Sequence, residues 1–276
     1  MTHPTETTGA TGRNETAGTR SPIAGVAIAS VAIIGARGQM GSLFAARCEA
    51  ASVRVHRLDR PMADADVRAA LADADLCFVS VPAAAVDEVL GRIAPHLAAR
   101  TILADNVSVK VQPMAAMLAA HAGPVIGTHP LFGPVPDETP TVAVAPGPRP
   151  ADLAAAPLVE AWIEALGFAH FRTTPEEHDR AMALIQGLNF VTSVAYLAAL
   201  ADDPALERFL TPSFRRRLDA AQKMLTEDAQ LFTGLFEANP FGQDAVRRYR
   251  NFLHVAAGGD LDILIDRANW WWRRKD

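Results

Sequence analysis

The chain has 276 residues, enough for two modest domains or one large one, and half of them are apolar. With 26 Lys and Arg against 31 Asp and Glu, the formal net charge is -5, which excludes a global electrostatic footprint for nucleic acid or anionic lipid. The two cysteines, Cys48 and Cys77, make neither a disulfide framework nor a metal-ligand pattern; they read as buried thiols of a cytoplasmic protein, and no metal is expected.

Residues 1–25 are rich in Thr, Gly and Ala but lack the basic-then-apolar order of a signal peptide, and read as a disordered leader. No run approaches the roughly 18 apolar residues of a membrane span, so no membrane association is expected. Val26 to Ile34 is a β-branched run ending at Gly35, as in a buried parallel strand. Gly38 to Ala51 follows as a helix. Strands are then predicted at Val53 to Leu58, Leu76 to Val81, Thr101 to Asn106, Pro124 to Gly127 and Thr141 to Ala145. Helices are predicted at Asp64 to Ala72, Ala84 to Ile93, Val111 to Ala120 and Ala151 to Leu166. This alternation specifies an α/β fold: a doubly wound, Rossmann-type nucleotide-binding domain over residues 26–174.

After Thr174 the pattern changes. Pro175-Glu176-Glu177 opens a helix, with Pro at the first turn and acids complementing its dipole. Ala181 to Leu200 is long, nearly all apolar and free of lysine. Further helices are predicted over 204–210, 213–225, 228–237, 241–257 and 260–272. Residues 175–276 therefore read as an all-α domain. A helix apolar all round must be buried on most sides, and a second copy of the chain is the simplest cover, so a homodimer is expected. The consecutive Trp270-Trp271-Trp272 cannot share one helical face and fit the same role.

In a doubly wound sheet, ligands bind outside the carboxyl ends of the strands. Gly35, Asp59, Ser80, Asn106 and His129 all stand at such ends. Gly35-Ala36-Arg37-Gly38-Gln39-Met40-Gly41 joins a strand to a helix, where a tight turn and a helix N-terminus suit a pyrophosphate. Asp59, ending the second strand, suits ribose hydroxyls and favours NAD over NADP, although Arg37 and Arg60 stand where either would face a 2′-phosphate. Ser80-Val81-Pro82 lets a cofactor pass close to the backbone, and Asn106 borders the same crevice. Ser108 and Lys110 follow the fourth strand and suit an anionic substrate or a nicotinamide amide.

His129 lies in Thr128-His129-Pro130-Leu131-Phe132-Gly133-Pro134, where two prolines restrict the backbone around a titratable imidazole. That is a positioned base. His178, inside Glu177-His178-Asp179, reads instead as a capping or interdomain contact. Arg215, Arg216, Arg217 and Lys223 form a basic cluster at helical spacing, suited to a carboxylate substrate.

Together these motifs, with Ile185-Gln186-Gly187-Leu188, resemble in order and spacing the prephenate dehydrogenases, of the type fused to chorismate mutase in enteric bacteria. Neither a mutase segment before nor a regulatory segment after is expected here. The resemblance implies NAD-dependent oxidative decarboxylation: His129 takes the C4 hydroxyl proton, hydride leaves C4 for NAD⁺, the C1 carboxylate departs as CO₂, and the ring becomes aromatic. It makes His129 and Ser108 catalytic. Lys110, Gln186, Asn189, Phe190, Arg215 and Lys223 become substrate-side residues. Gly35, Arg37, Gly38, Gln39, Met40, Gly41, Asp59, Ser80, Val81, Pro82 and Asn106 become the NAD site. Two departures stand on the substrate side. Asn189-Phe190 occupies the place of a second family histidine, and Lys223 that of a clamping arginine. They favour 4-amino-4-deoxyprephenate over prephenate, with arogenate a third option. Two other readings are weaker. A β-hydroxyacid dehydrogenase needs a lysine in the long central helix, and a redox sensor needs neither His129 nor the basic cluster.

Overall fold

The computed structural model describes residues 28–136 and 140–273. The leader reading, and the first two residues of the predicted first strand, lie outside the described residues.

Seven strands form one sheet in the order β2-β1-β3-β4-β5-β6-β7. They are β1 (Ser30–Ile34), β2 (Arg54–Leu58), β3 (Leu76–Val79), β4 (Ile102–Asp105), β5 (Val125–Pro130), β6 (Thr141–Pro146) and β7 (Ala169–Arg172). The first five pair in parallel, with Ile34 opposite both Leu58 and Val79. β1, β3 and β4 are fully buried, which is why they read as continuous apolar runs.

Helices α1 (Gln39–Ala50), α2 (Asp64–Leu71), α3 (Val86–Ile93), α4 (Val111–Ala120) and α5 (Pro150–Ala165) cover both faces. On one face Phe44, Phe78, Trp162 and Phe168 cluster with ring centroids 4.8–5.8 Å apart, a spacing at which aromatic pairs attract. On the other, Leu71, Val89, Leu90, Ile93, Met114 and Met117 pack on Ala32, Cys77 and Leu103. Burial pushes the thiols of both Cys48 and Cys77 up to about 12, so they are inert at neutral pH.

Two features go beyond the sequence reading. The sixth strand runs antiparallel, with His129 opposite Ala143. A seventh strand, β7, follows α5 and pairs in parallel with β6. Its sequence, Ala-His-Phe-Arg, alternates too briefly to stand out, and three of its residues are exposed.

From Pro175 onward the described residues are helical: α6 (Pro175–Met182), a π-helical turn (Ala183–Leu188), α7 (Asn189–Ala198), α8 (Pro212–Thr226), α9 (Ala229–Ala238), α10 (Gly242–Ala257) and α11 (Leu261–Ala268). Residues 204–209 and 269–272 are 3₁₀ turns rather than the α-helices expected. Thr174 caps α6 by accepting the backbone N–H of Glu177.

α6, the π turn and α7 run on as one 24-residue helical segment. By length and mean hydropathy it is long and apolar enough to cross a membrane, which corrects the expectation that nothing approaches a span. Gln186, Asn189, Thr192 and Ser193 interrupt the apolar run without lowering its average much. One such helix is weak evidence of a span, because a core or interface helix passes the same test.

Candidate active site

The glycine turn joins β1 to α1 where the strand order reverses between β1 and β3. Gly35 has φ +85°, and a Cβ there would collide with the carbonyl oxygen of Ser80. A Cβ on Gly41 would strike the Gly35 carbonyl oxygen. Both glycines are therefore dictated by close backbone approach. Gly38 caps α1 with no side-chain hydrogen bond, and the first turn holds no acid. Its N–H groups are thus left to an anion.

Asp59, just past β2, reaches this turn: its Oδ1 accepts the backbone N–H of Arg37. Arg37 is solvent-exposed, with Nε 3.9 Å from Asp59 Oδ2. Arg60 is held by Glu88 at 2.6 Å. An open cleft of about 780 Å³ borders Arg37, Leu58, Asp59 and Met62. Ser80 and Asn106 end neighbouring strands and are linked, Asn106 Nδ2 donating to Ser80 Oγ at 2.9 Å. Val81 and Pro82 follow Ser80 at the same strand end.

His129 is buried near the end of β5. Its Nδ1 lies 2.9 Å from His178 Nε2, and the rings meet edge to face. His178 Nδ1 in turn lies 2.8 Å from Asp179 Oδ1. The Asp179 carboxylate also accepts the backbone N–H groups of Lys110 at 2.7 Å and Val111 at 2.8 Å, so an acid of α6 closes the N-terminus of α4. Asn239 Nδ2 donates to the Asp179 carbonyl at 2.8 Å. Burial, then the neighbouring His178 and Lys110, hold the His129 imidazole well below its ordinary pKa.

Beneath the loop, Lys110 Nζ pairs with the Asp105 carboxylate, and Lys110 is only 1% exposed. Asp105 also accepts the backbone N–H groups of Val107 and Thr128. Burial pushes the Asp105 carboxyl up and the Lys110 amine down, and each charge partly offsets the other's shift. A Cβ on Gly127 would come 2.7 Å from Met114 Sδ and 3.0 Å from Lys110 Cδ, so the glycine makes room for both side chains. This corrects the substrate-binding reading of Lys110. A cation meant for a substrate must be reachable, and this one is spent on an internal carboxylate.

The other substrate-side residues scatter. Ser108 and Gln186 line one narrow cleft with Val109, Gly187 and Phe236, between the β4–α4 loop and the helical half. Phe190 is buried and stacks on Phe232, with centroids 5.7 Å apart, while Asn189 beside it is exposed. Arg215 lines a separate groove with Tyr196, Phe209 and Phe214. Lys223 is exposed and engaged by Asp228. Within one chain the basic cluster is thus not gathered around His129.

Sequence reasoning set His178 aside from the base. Its reading as an interdomain contact holds, but the helix cap is Thr174. What the contact touches is the candidate base itself. The signal available was the acid beside the histidine, Asp179.

Residues 48–141 match the family model described as the prephenate dehydrogenase nucleotide-binding domain. The chain is similar to the T-protein of Enterobacter agglomerans, 32% identical over 234 residues, covering 79% of this chain and 59% of that protein. The T-protein of Haemophilus influenzae is 32% identical over 217 residues, covering 75% and 56%. The chain therefore spans less than two thirds of the length of these relatives. Among solved structures, the fold is similar to a prephenate dehydrogenase from A. aeolicus in complex with hydroxyphenyl propionate and NAD⁺. The TM-score is 0.74 at 17% identity, covering 88% of this chain and 96% of that one.

Proposed function

We propose that the chain is a member of the prephenate dehydrogenase family, a reading supported by the match to its nucleotide-binding domain and the likeness to the T-proteins, and that it is an NAD-dependent dehydrogenase acting by oxidative decarboxylation on a prephenate-type cyclohexadienyl pyruvate. The observation that carries the reading is His129: a buried imidazole, held low in pKa, at the same sheet edge as an uncapped glycine turn. The T-proteins and the A. aeolicus complex with NAD⁺ support it by likeness.

The residues present fit NAD⁺. Gly35 and Gly41 are a cradle that side chains would fill, and the uncapped first turn of α1 suits a pyrophosphate. Asp59 stands at the strand end where an acid meets ribose hydroxyls, and the salt bridge to Glu88 draws Arg60 away from a 2′-phosphate role. When bound, NAD⁺ supplies the hydride acceptor.

His129 is the base. A neutral imidazole at neutral pH accepts the proton of the ring C4 substituent as hydride departs from C4. Loss of the C1 carboxylate as CO₂ moves its electron pair into the ring, and for a hydroxyl substrate the proton returns to the phenol oxygen. Ser108 and Gln186 contact the substrate in this reading. Lys110 acts from below, through its charge.

Of the possible substrates, 4-amino-4-deoxyprephenate is the one we propose, with 4-aminophenylpyruvate as product. Phe190 is buried against Phe232 and offers no hydrogen bond to a C4 hydroxyl. Lys223 is a flexible point charge where the family has a rigid fork. Prephenate, giving 4-hydroxyphenylpyruvate, is the second reading; arogenate follows. The test is NADH formation by purified protein with each substrate. Higher kcat/KM for prephenate would reassign the chain to the hydroxy substrate, and no turnover with any of the three would defeat the dehydrogenase reading.

The helical half, residues 175–276, is proposed to pair two chains of a cytoplasmic homodimer. Leu184, Ile185, Val194 and Tyr196 are exposed along the α6–α7 segment, Ile185 by 55%. An adjoining apolar groove of about 1010 Å³ is lined by Leu200, Leu206 and Phe209. Trp270, Trp271 and Trp272 are also exposed. Apolar surface of this extent marks an association face.

A further inference from the structure

The structure assigns to His178 and Asp179 the task of fixing which nitrogen of His129 carries its proton, and of sharing the proton that His129 receives. The assignment rests on the proposed reaction only for its consequence; the tautomer follows from donors and acceptors alone. Asp179 accepts two backbone N–H groups, one on each oxygen, so both oxygens act as acceptors. An ionised carboxylate can only accept. At 2.8 Å, His178 Nδ1 must therefore be the donor. A neutral His178 protonated on Nδ1 has its lone pair on Nε2. His129 Nδ1 lies 2.9 Å from that lone pair, so it too must carry its proton. The lone pair of a neutral His129 is thereby left on Nε2, the nitrogen turned away from His178.

The three side chains come from two elements with independent supports. His129 belongs to β5 and is held there by the pairing of β5 with β6. His178 and Asp179 belong to α6, tied to α4 by the two N–H donors and to Asn239 by the Asp179 carbonyl. All three are buried, so no water competes for these bonds. Docking the helical half on the sheet therefore completes the base.

The arrangement also deals with charge. An imidazolium at His129 would be desolvated and would face Lys110, while Asp105 is already committed to that lysine. When the substrate proton moves to His129 Nε2, the Nδ1 proton can move to His178 Nε2. One N–H bond breaks and another forms, and the positive charge comes to rest against Asp179. For a hydroxyl substrate both transfers reverse when the aromatic product regains its proton. For an ammonium substrate the extra proton goes to solvent. His178 and Asp179 are positioning residues, since neither touches the reacting atoms.

The test is ¹⁵N–¹H long-range correlation on the full chain, histidine-labelled, without substrate and near neutral pH. The two rings are assigned from the spectra of His129→Asn and His178→Gln. Expected is the Nδ1–H tautomer at both His129 and His178. A wild-type His129 protonated on Nε2 overturns the proposal even if the enzyme turns over; the expected tautomer without turnover would defeat the proposed reaction and leave this inference standing. His178→Gln keeps an oxygen that can accept from His129 Nδ1, so the tautomer should persist while kcat falls about 10-fold or more and KM changes little. His178→Phe removes the acceptor; His129 should then show mixed tautomers and a further loss in kcat. His178→Phe with wild-type tautomer and wild-type kcat would overturn the proposal.

Discussion

The backbone N–H of Arg37, in the glycine turn, donates to Asp59 Oδ1 across 3.0 Å. One bond thus ties the turn after β1 to the end of β2 and aims a carboxylate over the cleft where adenosine ribose hydroxyls are proposed to lie. Loss of a charged hydrogen-bond partner costs about 1.5–3 kcal/mol, roughly ten- to a hundredfold. Asp59→Ala should lower the ratio of kcat/KM for NAD⁺ over NADP⁺ by that order. If the unaltered enzyme uses both equally well, Arg37 or Arg60 governs the site instead.

His129 carries the chemistry in this reading, so His129→Asn should lower kcat by about 10²–10⁴-fold, the usual worth of a general base. NAD⁺ affinity, measured by calorimetry, should stay nearly unchanged. The pH dependence has a definite sign. The base works when neutral, and burial with His178 and Lys110 nearby lowers its pKa well below 6.5. kcat/KM should therefore stay level from neutrality down through pH 6.5 and fall only in more acid solution. An acid limb at or above pH 6.5, or the same limb in His129→Asn, would point to another group.

Lys110 and Asp105 are buried together, and a buried pair broken on one side leaves an uncompensated charge. Lys110→Met should destabilise the chain by about 3–5 kcal/mol in denaturant titration, and Asp105→Asn in that background should recover part of the loss. Removing the cation should also raise the His129 pKa and carry the acid limb upward. A Lys110→Met protein of full stability, with only a raised KM, would restore the lysine to the substrate.

The exposed apolar face of α6 and α7 predicts a dimer at micromolar concentration by light scattering. Ile185→Glu, placed on the most exposed of the large apolar residues along that segment, should shift the mass toward monomer. A fully active monomeric wild type would remove the dimer from the proposal.

Phe190 and Lys223 are the two residues on which the proposed amino substrate rests. Phe190→His with Lys223→Arg should move the kcat/KM ratio toward prephenate, because burying an unpaired hydroxyl costs about 1–3 kcal/mol. An unchanged ratio would make both departures neutral.

How much was legible beforehand follows from the range of each signal. The parallel strands, the helices between them and the glycine turn were readable because each is written in a few adjacent residues. A β-branched run, a turn glycine and a downstream acid need no distant partner to be recognised. The loop around His129 was readable for the same reason, since Pro130 and Pro134 restrict their own neighbourhood. Tertiary structure alone decided that β6 reverses direction, that β7 joins the sheet, and that the Lys110 ammonium turns inward to Asp105. It alone brought His178 to His129, 49 residues earlier in the chain, and Asp179 to the backbone of Lys110, 69 residues away. A histidine's donors and acceptors are identical in every sequence context. Which of them meets a carboxylate, and so which nitrogen is left as the base, is set only when the helical half packs onto the sheet.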